Sequence, residues 1–121
     1  VIVGSAGFIE GGLRGFKADV LFLGVGSLGE QSVEYRQKYW EETVGRLEPS
    51  TVIPIHYDSL LGEPRGPVRG HSALYGVTSG ADNLNVLPYL DENMSRSASV
   101  ASIRTLPRFA EVEIFPAMKT R

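Results

Sequence analysis

The sequence contains no cysteine. That removes disulfides and thiolate metal ligands together, and leaves His, Asp and Glu as the side chains able to hold a metal. It is also poor in histidine, with His56 and His71 alone. No apolar run approaches the ~20 residues needed to span a bilayer, so no membrane association is expected. Lys and Arg are scattered and the net charge is −2, whereas a nucleic-acid surface needs clustered cations to neutralise phosphates; no nucleic-acid partner is expected either. No basic segment leads into an apolar stretch with a cleavage site, so no signal peptide is visible and a cytoplasmic location is expected. There is no initiator Met, and the chain opens inside an apolar run, Val1-Ile2-Val3. Processing or tagging accounts for that start, and a strand cut from a longer chain accounts for it equally well.

What remains suits one small domain: 121 residues, 42% hydrophobic and 21% charged, close to an average globular chain. Val1 to Val3 reads as a short strand stopped by Gly4. Ala18 to Val25 is apolar on both faces, as a central parallel strand covered on both sides should be. Glu30 to Leu47 carries apolar residues at helical spacing with charges between them, and predicts the best helix. Thr51 to Ile55 reads as another apolar strand, in which Pro54 removes one ladder hydrogen bond. Residues 58 to 81, rich in Gly, Pro and Ser, read as a long loop of the kind that is often functional. Asp82 to Glu92 predicts a short helix interrupted by Pro88. Ser95 to Leu106 predicts a helix capped by Ser95 or Ser97, and Glu111 to Phe115 alternates like a half-buried strand. The order β–β–α–β–loop–α–β places the chain in the α/β or α+β class.

Three constellations could carry chemistry. Gly24-Val25-Gly26-Ser27-Leu28-Gly29 has the spacing of a pyrophosphate-binding turn. A dinucleotide site also needs an acidic residue ending the next strand, and that strand ends at Ile55-His56, so the pattern reads as a loose strand-to-helix turn. Gly4-Ser5-Ala6-Gly7-Phe8-Ile9 is similar to the opening of extended short-chain reductases. There Glu10 replaces the last glycine and would repel a phosphate, and the chain has no Tyr-x-x-x-Lys pair. The third is Val52-Ile53-Pro54-Ile55-His56-Tyr57-Asp58. A histidine at the C-terminal end of a buried strand is placed like a metal ligand or an acid/base. The plainer alternative is a locally hydrogen-bonded edge histidine.

Four phrases in order carry a resemblance: Gly4-Ser5-Ala6-Gly7-Phe8; Ala18-Asp19-Val20-Leu21-Phe22-Leu23-Gly24-Val25-Gly26-Ser27-Leu28-Gly29; Tyr35-Arg36-Gln37-Lys38-Tyr39-Trp40; and the phrase around His56. Together they resemble the C-terminal half of one branch of the metallo-β-lactamase-fold hydrolases. The resemblance covers about half the chain well and the tail from Leu61 only loosely. It implies half of an αββα sandwich, with one or two metals, usually zinc, at the sheet edges of the whole fold. Such metals lower the pKa of a bound water and supply a hydroxide near neutral pH.

The resemblance assigns His56 to the family's last metal-ligating histidine. The bridging aspartate of the family falls at Ser5, a poor ligand when neutral. Asp58 would orient the His56 ring, Tyr57 would stand in the pocket wall, and His71 matches no family motif. The family's H-x-H-x-D-H motif has no counterpart in this chain, so zinc is expected only with a complementary half. That half is either a missing N-terminal segment or a second copy in a homodimer covering the open sheet face.

The sequence therefore points first to a partial zinc-dependent hydrolase domain, inactive by itself. A non-catalytic α/β module that self-associates and binds a small molecule or protein is the second reading. A dinucleotide-binding, reductase-like fragment is the third.

Overall fold

The computed structural model describes residues 1–56, 89–104, 106 and 111–115. Tyr57, Asp58, His71, the 58 to 81 loop and the first part of the Asp82 to Glu92 helix lie outside them. The described residues form a mixed α/β unit built on a four-stranded parallel sheet. Its strands are β1 (Ile2–Val3), β2 (Val20–Gly24), β3 (Thr51–Ile55) and β4 (Ser102–Ile103), arranged in sequence order.

The helix expected over 30–47 begins slightly later. A single 3₁₀ turn, Leu28–Glu30, comes first. Helix α1 (Val33–Trp40) then starts at Ser32, whose hydroxyl accepts from the Tyr35 N–H at 3.1 Å, the usual N-cap arrangement. Residues 41–45 widen into a π turn before the last helical residues, 46 and 47. The Thr43 hydroxyl donates to the Tyr39 carbonyl at 2.6 Å inside that turn. The wider turn buries three residues in succession, Glu42, Thr43 and Val44, which a regular amphipathic stripe would not.

Pairing register decides which side chains share a face. Leu21, Val52 and Ile103 lie abreast, as do Val3, Leu23 and Pro54. On this face Leu21, Leu23, Val25 and Val52 pack with Tyr39, Trp40, Val44 and Leu47 from the α1 region. Residues 89–96 form a second helix, α2, whose Tyr89 and Leu90 join the same cluster. Both helices thus cover one face. Ile2, Phe22 and Ile53 lie abreast on the other.

Pro54 fits its strand for a geometric reason. In a parallel ladder both backbone polar groups of a residue point to the same neighbour, and the Val52 carbonyl accepts from Arg104 on the β4 side. Pro54, two residues on, turns its nitrogen the same way, and the β3–β4 ladder has already stopped at Val52–Ile103. No donor is missed.

Two expectations for the C-terminal part require correction. Ser95 and Ser97 do not start a helix. Their hydroxyls donate to the carbonyls of Asp91 (3.0 Å) and Asn93 (2.8 Å), the back-bonding pattern of serines at or after the end of a helix. Ser102–Ile103 is then a strand, because Ile103 finds a place beside Val52 on the covered face; tertiary pairing overrides the helical spacing. Residues 111–115 alternate between exposed and half-buried as expected, yet form no strand.

Candidate functional site

In parallel α/β sheets the strand carboxyl ends collect the loops that carry chemistry. Three segments meet at that edge here: the Gly4–Phe8 loop after β1, the Gly24–Gly29 turn after β2, and His56 after β3. Ser5 lies against the end of β2, where a β-carbon on Gly24 would come within 2.7 Å of its nitrogen, and His56 lies against the turn that follows β2, where a β-carbon on Gly26 would come within 3.1 Å of its carbonyl oxygen. The structure therefore places both at one edge.

His56 is exposed and has φ 59°, in the left-handed region. Ser27, in the neighbouring turn, has φ 61°. Such a backbone is disfavoured for residues other than glycine and is held only where the surroundings enforce it. The two turns approach closely: a β-carbon on Gly26 would lie 3.1 Å from the His56 carbonyl oxygen and 3.3 Å from its β-carbon. A side chain at position 26 would therefore press on His56 by a few tenths of an ångström.

The glycine turn itself does not open a helix. It leads into the 3₁₀ turn, and α1 begins only after Ser32. The pyrophosphate-like spacing at Gly24–Gly29 is thus followed by a 3₁₀ turn and not directly by the N-terminus of α1.

The aromatic residues of Tyr35-Arg36-Gln37-Lys38-Tyr39-Trp40 have structural assignments that spacing did not disclose. Tyr39, fully buried, donates its hydroxyl to the Gly24 carbonyl at 2.6 Å, with the Ser5 carbonyl at 3.1 Å sharing the same proton. Tyr35 donates to the Ala6 carbonyl at 2.9 Å, and Phe8 packs its ring against both tyrosines. Trp40 donates its indole N–H to Ser97 Oγ at 2.9 Å and stands edge-on to Tyr89. Helix α1 thus clamps the loop after β1 onto the end of β2. Burial, with the nearby Tyr89 and Tyr35 adding to it, raises the pKa of Tyr39 well above the ordinary phenol value, so it acts here as a neutral donor.

A cleft of about 430 Å³ opens beside β1, lined in part by Ile2, Ser5, Phe8, Leu13, Glu42 and Thr43. Among the described residues that line it, Glu42 is the charged one. Its carboxylate accepts from Arg46 at 3.1 and 3.3 Å and from the Gly11 N–H at 2.7 Å, with Lys38 at 3.8 Å. The Arg46 guanidinium first, then the Gly11 N–H, hold its pKa below the usual carboxylate range. Glu42 is therefore an anchored anion that pins the 9–16 segment to the helix, and not a proton donor near neutral pH.

Among the described residues no three His, Asp or Glu side chains gather closely enough to hold a metal ion. Of the residues that the sequence assigns to a metal site, the described ones at the strand-end edge are His56 and Ser5. A catalytic zinc ordinarily takes three protein ligands, and these residues alone do not fit one. No helix among the described residues is long and apolar enough to cross a membrane. No family model matches this chain, and comparisons with characterised proteins and with solved structures find no match.

Proposed function

We propose that this chain is one half of an αββα, metal-dependent hydrolase fold, and that it contributes His56 to a zinc site completed by a second half. The observation that carries this reading is the position of His56. It is exposed, directly follows the five-residue strand β3, and sits against Gly26 in the turn after β2. The sheet face opposite the helices gives further support. Its row runs from Ile53, 1% exposed, through half-buried Phe22 to Ile2, 71% exposed, so it is open on the β1 side, where a second layer would continue. Because one copy alone does not fit a zinc, equilibrium dialysis against zinc at chain concentrations high enough for two copies to associate tests the reading. Weak binding that His56→Ala removes and His71→Ala leaves in place is expected; zinc uptake unchanged by His56→Ala would overturn it.

A second reading keeps the same open face and dispenses with the metal: a non-catalytic module that self-associates. Val1, Ile2, Ile9 and Phe16 are all exposed near β1 and the segment that follows it, which favours a covered edge. Light scattering across a concentration series decides it. A mass that doubles with concentration supports self-association, and a constant monomer refutes it.

A further inference from the structure

We infer that the groove between helices α1 and α2 is a binding site for a small organic carboxylate, held by the forked guanidinium of Arg36. This rests on groups that play no part in the His56 edge or in the zinc proposal. The groove has a volume of about 320 Å³, at the lower end of the roughly 300–1,000 Å³ of small-molecule sites. Arg36 lines it from α1, together with Val33 and Gln37; Tyr89 and Asn93 line it from α2.

Arg36 is the unusual residue. Its Nε is buried and has no hydrogen-bond partner. Its guanidinium carbon lies 5.9 Å from the centre of the Tyr89 ring, and the Tyr89 hydroxyl donates back to the Arg36 carbonyl. The side chain is thus fixed against an aromatic face while its Nε–H is unsatisfied. A buried unpaired donor is unfavourable, and more so on a charged group. A carboxylate presents two coplanar oxygens that accept from Nε and one Nη together, the geometry for which arginine is suited.

Charge narrows the ligand class. Among the described residues the other charged groups at the groove, Arg96 and Glu92, pair with each other, which leaves Arg36 as the described charge without a counter-ion. A monoanion matches it, whereas a phosphate dianion would carry a surplus charge towards Glu92. Exposed Val33 and the Tyr89 ring offer apolar contact to a short hydrocarbon tail. Asn93 uses one amide N–H on the Tyr89 carbonyl at 2.8 Å, and its side-chain oxygen stays available to a polar substituent.

The test uses the whole chain labelled with ¹⁵N, with butyrate and inorganic phosphate as probes. Arginine Nε–H resonances report directly on the group invoked. The expected result is a saturable shift of the Arg36 Nε–H with butyrate and weaker, non-saturating behaviour with phosphate. Arg36→Gln, followed through the backbone amides of 33–37 and 89–93, should weaken butyrate binding by about tenfold or more. Arg36→Lys, which keeps the charge and loses the fork, should weaken it as well, and retained amide dispersion would show that both variants fold. Three results would overturn the inference: an Arg36 resonance that does not saturate, phosphate binding as tightly as butyrate, or butyrate binding unchanged in Arg36→Lys.

Discussion

Replacing Tyr39 by Phe removes one oxygen from a fully buried ring and should destabilise the protein by about 2 kcal/mol. The figure follows from what the hydroxyl does. The Phe22 N–H donates to the Val1 carbonyl, so Gly24, two residues on, turns its carbonyl to the same side. The β1–β2 ladder ends at Val3–Leu23, and Tyr39 supplies the donor at 2.6 Å. Without it a buried carbonyl loses its partner, a change that costs roughly 1–3 kcal/mol. The Ser5 carbonyl, at 3.1 Å, belongs to an exposed residue and can turn to water. Tyr35→Phe is the matched control. Its hydroxyl bond to Ala6 is only partly buried, and its loss should cost no more than about 1 kcal/mol. Urea denaturation gives both values, with the fluorescence of the sole tryptophan, Trp40, as the signal; it is 5% exposed and sits in the same core. For a domain of this size each kcal/mol corresponds to roughly 4 °C in Tm, so Tyr39→Phe should melt roughly 8 °C lower. Equal losses for the two variants, or a Tyr39→Phe loss below about 0.5 kcal/mol, would refute the clamp.

Gly24→Ala should destabilise by about 2 kcal/mol or more, because its β-carbon would lie 2.7 Å from the Ser5 nitrogen and 2.8 Å from the Val3 oxygen; amide exchange should then quicken at β1, and an unchanged β1 would contradict the packing. Burial raises the pKa of both Tyr39 and Tyr89 above the ordinary phenol value of 10.0. Their contribution to stability is complete below pH 10 and lost as pH rises further, so absorbance at 295 nm should show these two phenols ionising only with unfolding, and ionisation in the intact fold would contradict their burial. Glu42 has the opposite sign: with its pKa depressed, its contribution is present above the ordinary carboxylate value and lost as pH falls through the folded value. Glu42→Gln should therefore be less stable than the parent at neutral pH and show a smaller loss on acidification, measured by urea midpoints at each pH; parallel pH profiles would contradict the ion pair.

Strands and the first helix were legible because their signals are local. Thr51 to Ile55 is an uninterrupted apolar run and forms β3 with those bounds, and the α1 region runs to Leu47 as its periodicity indicates. The C-terminal part was misread because its outcome depends on partners remote in sequence. Ile103 is a strand residue through its place beside Val52, and the serines at 95 and 97 are read correctly only once the preceding helix is known. Placing His56 at a strand end needed only the boundary of β3. Tyr39, Glu42 and Arg36 could not be picked out as the clamp, the anchored anion and the groove cation, since each depends on a contact across the fold: Gly24, Gly11 and Tyr89 respectively. Arg36 left one faint trace, its helical spacing from Val33, which puts both on the groove.

We proposed that the strand-end edge at His56 meets a metal. Paramagnetic broadening by Co²⁺, mapped over the backbone amides, tests it directly. The first resonances lost at low Co²⁺ should be those of 4–8, 24–29 and 55–56, and His56→Ala should restore them. Broadening centred on other residues, or unchanged by His56→Ala, would contradict it.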